Sequence, residues 1–157
     1  MSSRPAGALL VDTNLLVLWI VGTVNRGRIR QFKRTCQYTE ADFDILDRYL
    51  ATFSTLYTLA HVMAEVSNLT DLSGPERLKA RLALKSFLET AQEPHVPSSD
   101  AARTEPYNRL GLVDSAISVA ARRYRCRVLT DDLALFLALS RAGVEVENFN
   151  HLRPRPW

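Results

Sequence analysis

The apolar run at residues 8–11, ALLV, continues directly into the acidic residue Asp12. A run of this length and composition is typical of a buried strand in a parallel sheet. Burying an isolated carboxylate beside it would cost several kcal/mol unless the charge is hydrogen-bonded, paired or bound to a cation. The chain must therefore provide either a helix cap or a cation site at this residue.

Short apolar runs alternate with helical segments along the whole chain. Further strands are predicted at residues 54–58, 126–130 and 144–149, with a short one near Val96 in the loop-rich segment 93–106. Helices are predicted at residues 15–21, 40–53, 59–69, 73–91, 113–125 and 131–143. The expected helix caps are Thr13 or Asn14 for the first and Ser73 for the fourth. This alternation predicts an α/β protein with a parallel sheet covered by helices on both faces.

Length and composition indicate one domain, residues 1–157. The chain is 46% hydrophobic and 24% charged, with a net charge of +3 at pH 7, values that are ordinary for a globular domain. Cys36 and Cys126 show no zinc-binding spacing and are interpreted as reduced thiols. No apolar stretch reaches the roughly 18 residues that a membrane span needs, and no signal peptide is recognised, so we expect a cytoplasmic protein without a membrane partner.

Acidic residues follow two of the predicted strands. Asp12 follows the first strand, and Asp131 and Asp132 follow the strand at 126–130. The carboxyl ends of parallel strands meet at one edge of the sheet, where ligands bind in folds of this kind. The two strand–helix junctions should therefore bring their acids close together.

Two further acids lie beside apolar helix faces. Glu65 is at the edge of the apolar stripe of the helix at 59–69. Asp114 lies in the first turn of the helix at 113–125, where the helix dipole favours an ionised carboxylate. Each acid by itself could be a helix cap or a solvated residue, and only the combination favours a shared acidic site.

A shared acidic site would need a cation. Two ionised carboxylates about 4 Å apart repel by several kcal/mol at an effective dielectric constant of about 20. Because the donors are oxygens, with no Cys or His set, Mg²⁺ or Mn²⁺ is the cation that this chemistry suits.

Four motifs in order resemble the PIN domain: LLVDTNLL (9–16), AEV (64–66), GLVDSAISVAAR (111–122) and VLTDD (128–132). That family includes the ribonuclease toxins of VapBC-type toxin–antitoxin pairs. The resemblance covers about residues 8–150 and implies a three-layer α/β/α sandwich with a central, mainly parallel sheet. It also implies divalent-metal-dependent cleavage of RNA phosphodiester bonds, with a cognate antitoxin and a second copy of the chain as partners.

The resemblance also implies roles for individual residues. Asp12, Glu65 and Asp114 would be metal-binding, catalytic acids. The last acid of the family commonly follows a threonine by two positions, which favours Asp132 as the fourth, with its neighbour Asp131 as the alternative. The small polar side chains implied beside these acids are Thr13, Asn14 and Thr130.

Residues 22–39 contain cations and no acid, and we interpret them as an inserted basic loop. The cations Arg26, Arg28, Arg30, Lys33 and Arg34 could bind the phosphate backbone of RNA; a solvated loop is the alternative. Phe32, Tyr38 and Trp157 could stack on bases, although packing roles are favoured. Because of this segment, Asp12 and Glu65 are farther apart in the sequence than the matching acids of the family's toxins. Those toxins usually form their antitoxin-binding groove from helices in this region of the chain.

The sequence thus predicts a metal-dependent endoribonuclease with a short tail at residues 153–157. Two alternatives remain open. The first is a non-catalytic PIN-like module that binds RNA or protein, and the second is a nuclease that cuts DNA.

Overall fold

The computed structural model describes residues 7–154 and contains a four-stranded sheet in which all strands are parallel. The strands are β1 (Ala8–Val11), β2 (Thr55–Tyr57), β3 (Arg127–Thr130) and β4 (Val146–Asn148), in the order β2-β1-β3-β4. Leu10 of β1 lies opposite Tyr57 on one side and Val128 on the other. Because β1 is central and covered on both faces, its apolar residues are unbroken by polar ones.

Helices cover both faces of the sheet and complete a three-layer α/β/α sandwich, as predicted. In residues 7–154 they are α1 (Thr13–Val24), α2 (Glu40–Ala51), α3 (Ala60–Leu69), α4 (Pro75–Thr90), α5 (Ser98–Ala102), α6 (Tyr107–Leu110), α7 (Leu112–Tyr124) and α8 (Leu133–Arg141). Helix α1 packs against α2, α3 and α4, whereas α7 packs against α5 and α6 and α8 lies against β3 and β4. Over this part of the chain, no helix combines the length and apolar character needed to cross a bilayer.

Three local predictions are wrong. The N-cap of α1 is Asp12 itself, whose side chain accepts a hydrogen bond from the Thr13 amide, and not Thr13 or Asn14. The N-cap of α4 is Gly74 and not Ser73; Gly74 has a φ of 61°, and no side chain caps this helix. Val96 lies in no strand, because the prolines on either side (Pro94 and Pro97) cannot donate to a strand ladder; α5 begins directly afterwards.

The segment at residues 22–39 is packed, not a loose loop. Its first three residues belong to α1, and a short 3-10 helix follows at Arg26–Arg28. Ile29 and Tyr38 are fully buried, and the Thr35 hydroxyl donates to the Ile29 carbonyl at 2.7 Å. The segment therefore contributes to the core between α1 and α2.

The predicted tail begins with an anchored residue. The Arg153 guanidinium makes two bonds to the buried Asp42 carboxylate, at 2.9 and 3.1 Å, and lies over the Tyr38 ring. It also donates to the Gln37 carbonyl at 3.1 Å. Arg153 therefore ties the end of the described chain to the start of α2, while Trp157 and its predicted stacking lie outside the described residues.

Helices α1 and α2 approach each other closely at Gly22. A Cβ atom at this position would overlap the ring of Phe43, which is itself buried. The close approach therefore depends on the absence of a side chain at residue 22.

Gly22→Ala should destabilise the protein by about 1–2 kcal/mol. Overpacking costs about 1–3 kcal/mol, and the better helix propensity of alanine recovers up to about 1 kcal/mol. Thr23→Ala, at the exposed neighbouring position of the same helix, should be neutral or stabilising. Urea denaturation of both variants measures this, and a Gly22→Ala variant as stable as Thr23→Ala would contradict the close approach.

Candidate functional site

One buried hydroxyl joins the two strand–helix junctions at the carboxyl edge of the sheet. Thr130, at the end of β3, donates its hydroxyl proton to Asp12 Oδ2 at 2.6 Å. Thr130 Oγ1 itself accepts a hydrogen bond from the backbone N–H of Asp132 at 3.0 Å. Asp12 Oδ1 accepts the Thr13 amide at 2.7 Å. The starts of α1 and α8 are thus held together through Thr130, a residue that the resemblance implied beside the acids.

The Asp12 carboxylate is 5% exposed. Burial raises its pKa to about 6, while the hydrogen bonds from Thr130 and Thr13 act in the opposite direction. The negative charges of Asp131 and Asp132 raise the pKa further. Asp12 is therefore a helix cap, and it also lies within the field of other acids.

Asp114 is the second acid with a strongly shifted pKa. It is half-buried in the first turn of α7, and its pKa is raised to about 7, first by burial and then by the charges of Asp12, Asp132 and Glu65. Glu65 is half-buried on α3. The structure thus brings the four predicted acids within electrostatic range of one another at one edge of the sheet.

The two neighbouring acids after β3 have different partners. The Asp131 carboxylate accepts a hydrogen bond from the fully buried Tyr38 hydroxyl. Burial raises the pKa of Tyr38 above its usual value, so this phenol remains a donor. Asp132 is exposed and uses Oδ1 to accept the Leu135 amide at 3.0 Å, which caps α8. Since Asp131 is engaged by Tyr38, Asp132 is the better candidate for the fourth acid.

Three buried hydroxyl oxygens near this edge have no hydrogen-bond partner in the described chain: Thr13 Oγ1, Thr58 Oγ1 and Ser115 Oγ. Thr13 and Ser115 directly follow Asp12 and Asp114, and Thr58 directly follows β2. Buried polar atoms without partners are uncommon and point to a water or ion at the site. Sequence reasoning named Thr13 but missed Thr58 and Ser115; the available signal was their position after a strand or beside an acid.

The donor chemistry of the acidic edge fits a hard divalent cation, because carboxylate and hydroxyl oxygens are its preferred ligands. As placed, residues 7–154 contain no group of three or more His, Cys, Asp or Glu side chains arranged to hold one metal ion. The acids therefore share one electrostatic environment without forming a ready cluster, and a bound ion would require their side chains to move closer together.

The predicted RNA-binding cations have mixed surroundings. Arg26 pairs with Asp44 of α2, and Arg28 Nε donates to Glu76 of α4 at 2.8 Å. The other three cations, Arg30, Lys33 and Arg34, are exposed and form no ion pair in the described part of the chain. Asn14, which the resemblance implied beside the acids, is also exposed. Two of the five charges are therefore already neutralised by acids distant in sequence.

None of the family models or curated protein sequences compared with the chain matches it. One solved structure, described as a domain of a functionally unknown protein from Methanocaldococcus jannaschii DSM 2661, has a similar fold, with a TM-score of 0.52 and 16% sequence identity. The similarity covers 96% of this chain and 94% of that one. At this identity the comparison supports the fold alone.

Thr130→Val should lower the free energy of unfolding by about 2 kcal/mol. The variant keeps the branched shape but removes the donor to buried Asp12 Oδ2 and the acceptor of the Asp132 amide, and unsatisfied buried groups cost about 1–3 kcal/mol. Thr130→Ser keeps the hydroxyl and is the matched control. Denaturant unfolding at neutral pH compares the two, and equal losses would argue against the hydroxyl bridge.

Asp114→Asn should stabilise the metal-free protein at pH 8. Because the pKa of Asp114 rises from 3.8 to about 7 on folding, the free-energy cost of its ionisation grows from about pH 4 upward and is complete above about pH 7. The full shift corresponds to roughly 4 kcal/mol, and solvent screening at this half-buried site reduces the expected gain to about 1–2 kcal/mol. The gain should disappear as the pH falls to 4, as measured by unfolding in EDTA; an Asn variant that is less stable at pH 8 would contradict the shift.

Proposed function

We propose that this chain is a divalent-metal-dependent endoribonuclease that hydrolyses RNA phosphodiester bonds at the acidic edge of its sheet. The observation that carries the proposal is the proximity of Asp12, Glu65 and Asp132 to Asp114 at one edge of the sheet, where burial and their charges raise the pKa of Asp114 to about 7. Acids in such an arrangement are destabilising when ionised together, and a cation offsets their repulsion. The partnerless hydroxyls of Thr13 and Ser115 beside two of these acids support the same site.

Each residue has a definite part in this proposal. Asp12 and Asp114 are the principal ligands of Mg²⁺ or Mn²⁺, and Glu65 and Asp132 complete the set. Thr130 orients Asp12 by donating a hydrogen bond from its hydroxyl to Asp12 Oδ2, with 2.6 Å between the two oxygens. A bound divalent ion supplies the Lewis acidity for phosphodiester hydrolysis.

Ion binding should compete with protons at this site. With a pKa of about 7, Asp114 is about half protonated at neutral pH when no cation is bound. A ligand must lose its proton to bind the ion, so metal affinity and activity should both rise as the pH increases from 6 to 8.

The biological part of the proposal comes from the PIN-like motifs. We propose that the protein is a cytoplasmic toxin of a type II toxin–antitoxin pair, that it acts as a homodimer on an RNA substrate, and that it binds a cognate antitoxin. The packed segment at residues 22–39 occupies the region where the family's toxins form their antitoxin groove. An antitoxin of this protein would therefore contact a surface of different shape.

The alternative function, a non-catalytic PIN-like module that binds RNA or protein, is favoured by one observation. Residues 7–154 contain no group of three metal-ligating side chains ready to hold an ion. The two functions differ in whether divalent ions cause the RNA to be cut, so one experiment separates them.

Purified protein should cut labelled single-stranded RNA when Mg²⁺ or Mn²⁺ is present and not in EDTA. Asp12→Asn and Asp114→Asn should each lower the cleavage rate by about 100-fold or more, because loss of an ion's ligand weakens both binding and positioning of the ion. Asp71→Asn is the matched control, since Asp71 is an exposed acid outside the group of four and has only a weak contact, at 3.6 Å, with Arg77.

Each outcome of this assay is decisive. Metal-dependent cleavage of RNA, with single-stranded DNA left intact, supports the ribonuclease. Preferential cleavage of DNA would favour a DNA-directed nuclease, whereas RNA binding without cleavage would favour the binding module. If Asp114→Asn cleaves as well as Asp71→Asn, the acidic edge is not the active site.

A further inference from the structure

A cavity lined by arginines lies between α6, α7 and α8. Its volume is about 250 Å³, and its lining includes Arg109, Arg122 and Arg141 together with the Ser118 side chain and the acid Glu105. A cavity of this size with three guanidinium groups and one carboxylate carries net positive charge. It is therefore suited to an anion of about the size of a phosphate group.

Arg122 also lines two neighbouring cavities, of about 530 and 380 Å³. The three cavities together form what we call the arginine face. Its cations are Arg103, Arg109, Arg122, Arg123, Arg125 and Arg141, and its acids are Asp100, Glu105 and Glu145. Arginine is the residue that binds phosphate through two parallel hydrogen bonds, and no lysine takes its place here.

The acids of the arginine face do not neutralise its centre. Asp100 pairs with Arg123 at 3.1 Å and more distantly with Arg103, and Glu105 pairs with Arg109 at 3.4 Å. Within residues 7–154, Arg122, Arg125 and Arg141 form no ion pair or side-chain hydrogen bond. Their positive charge is available to a ligand.

Two further residues belong to the arginine face. Ser118 is 4% exposed and lines the first cavity, where it adds a hydroxyl beside the arginines. Arg125 ends α7 with a left-handed φ of 50°, a conformation that glycine adopts at lower conformational cost. Arg125 also lines the third cavity, so the end of α7 adds another cation to the arginine face.

The arginine face lies along the same helices as the acidic edge. Helices α7 and α8 begin beside Asp114 and Asp132 and end at the arginine face. Residues 114, 118 and 122 recur at intervals of four, so they share one side of α7, and eight residues of helix span about 12 Å. At about 3.4 Å per nucleotide in a helical strand, this distance corresponds to three or four phosphates.

We propose that the arginine face binds the phosphate backbone of an RNA strand whose scissile bond lies at the acidic edge. The inference rests on the proposed function for the identity of the polymer. It assigns the main phosphate contacts to Arg122 and Arg141, because these two line one cavity. In the segment at residues 22–39, by contrast, Arg26 and Arg28 are already paired with acids.

The test is equilibrium binding of a fluorescent single-stranded RNA in EDTA, followed by anisotropy at several salt concentrations. Arg122→Ala/Arg141→Ala should weaken binding roughly tenfold and lower the slope of log affinity against log salt by about 1.4, or about 0.7 for each lost contact. The matched control is Arg30→Ala/Arg34→Ala, which removes two exposed cations of the other basic segment. Circular dichroism establishes that both variants are folded.

A competition experiment shows whether the arginine face binds the phosphates of RNA or free phosphate. Release of bound RNA by inorganic phosphate is compared with release by sodium chloride at equal ionic strength. If both salts release RNA equally while the Arg122/Arg141 variant binds weakly, the ligand is the polymer backbone, as proposed. The inference is overturned if phosphate is specifically bound while RNA affinity is unchanged in that variant, or if the two double variants lose equal affinity.

Because EDTA prevents metal-dependent cleavage, this test can fail independently of the proposed function. If the wild-type protein never cuts RNA but Arg122→Ala/Arg141→Ala binds RNA weakly, the RNA-binding role of the arginine face is supported and the nuclease proposal is contradicted. If the wild-type protein cuts RNA in a metal-dependent reaction but that variant binds RNA as tightly as the wild type, the nuclease proposal is supported and the RNA-binding role of the arginine face is contradicted.

Discussion

The hydrogen bonds of the Thr130 hydroxyl hold together the part of the molecule on which its proposed chemistry depends. Thr130 is fully buried, and it joins two junctions that are 118 residues apart in the chain. Without this bridge, the Asp12 carboxylate would lie buried beside two other acids with only the cap bond to Thr13. The position of Asp12 and that of the start of α8 are therefore set by the same hydrogen bonds, at the ends of the two central strands β1 and β3.

The apolar patterns of the sequence were sufficient to predict the layers of the fold. Runs such as ALLV are buried because their strands are central, and this burial selects continuous apolar residues. Local helix caps were less predictable, because Asp, Thr and Asn can all cap a helix and only the backbone geometry decides among them. The segment at residues 22–39 has no periodic pattern, and its buried Tyr38 donates a hydrogen bond to Asp131, which lies 93 residues away in the chain.

The acidic residues of the candidate site could be located from the sequence, but the state of the cations could not. A contiguous basic stretch is visible in the sequence, whereas the acids that neutralise Arg26 and Arg28 come from α2 and α4. The arginine face is the reverse case. Its cations are dispersed between positions 103 and 141, and only the packing of α6, α7 and α8 brings Arg109, Arg122 and Arg141 into one cavity.

The most direct test of the acidic site is the anomalous scattering of Mn²⁺ in crystals of the protein grown with that ion. We expect a peak at the carboxyl edge, within coordination distance of Asp12 and Asp114, and its loss in crystals of the Asp114→Asn variant. Crystals grown with Mn²⁺ that show no peak at that edge, or peaks only elsewhere on the surface, would contradict a divalent-cation site formed by these acids.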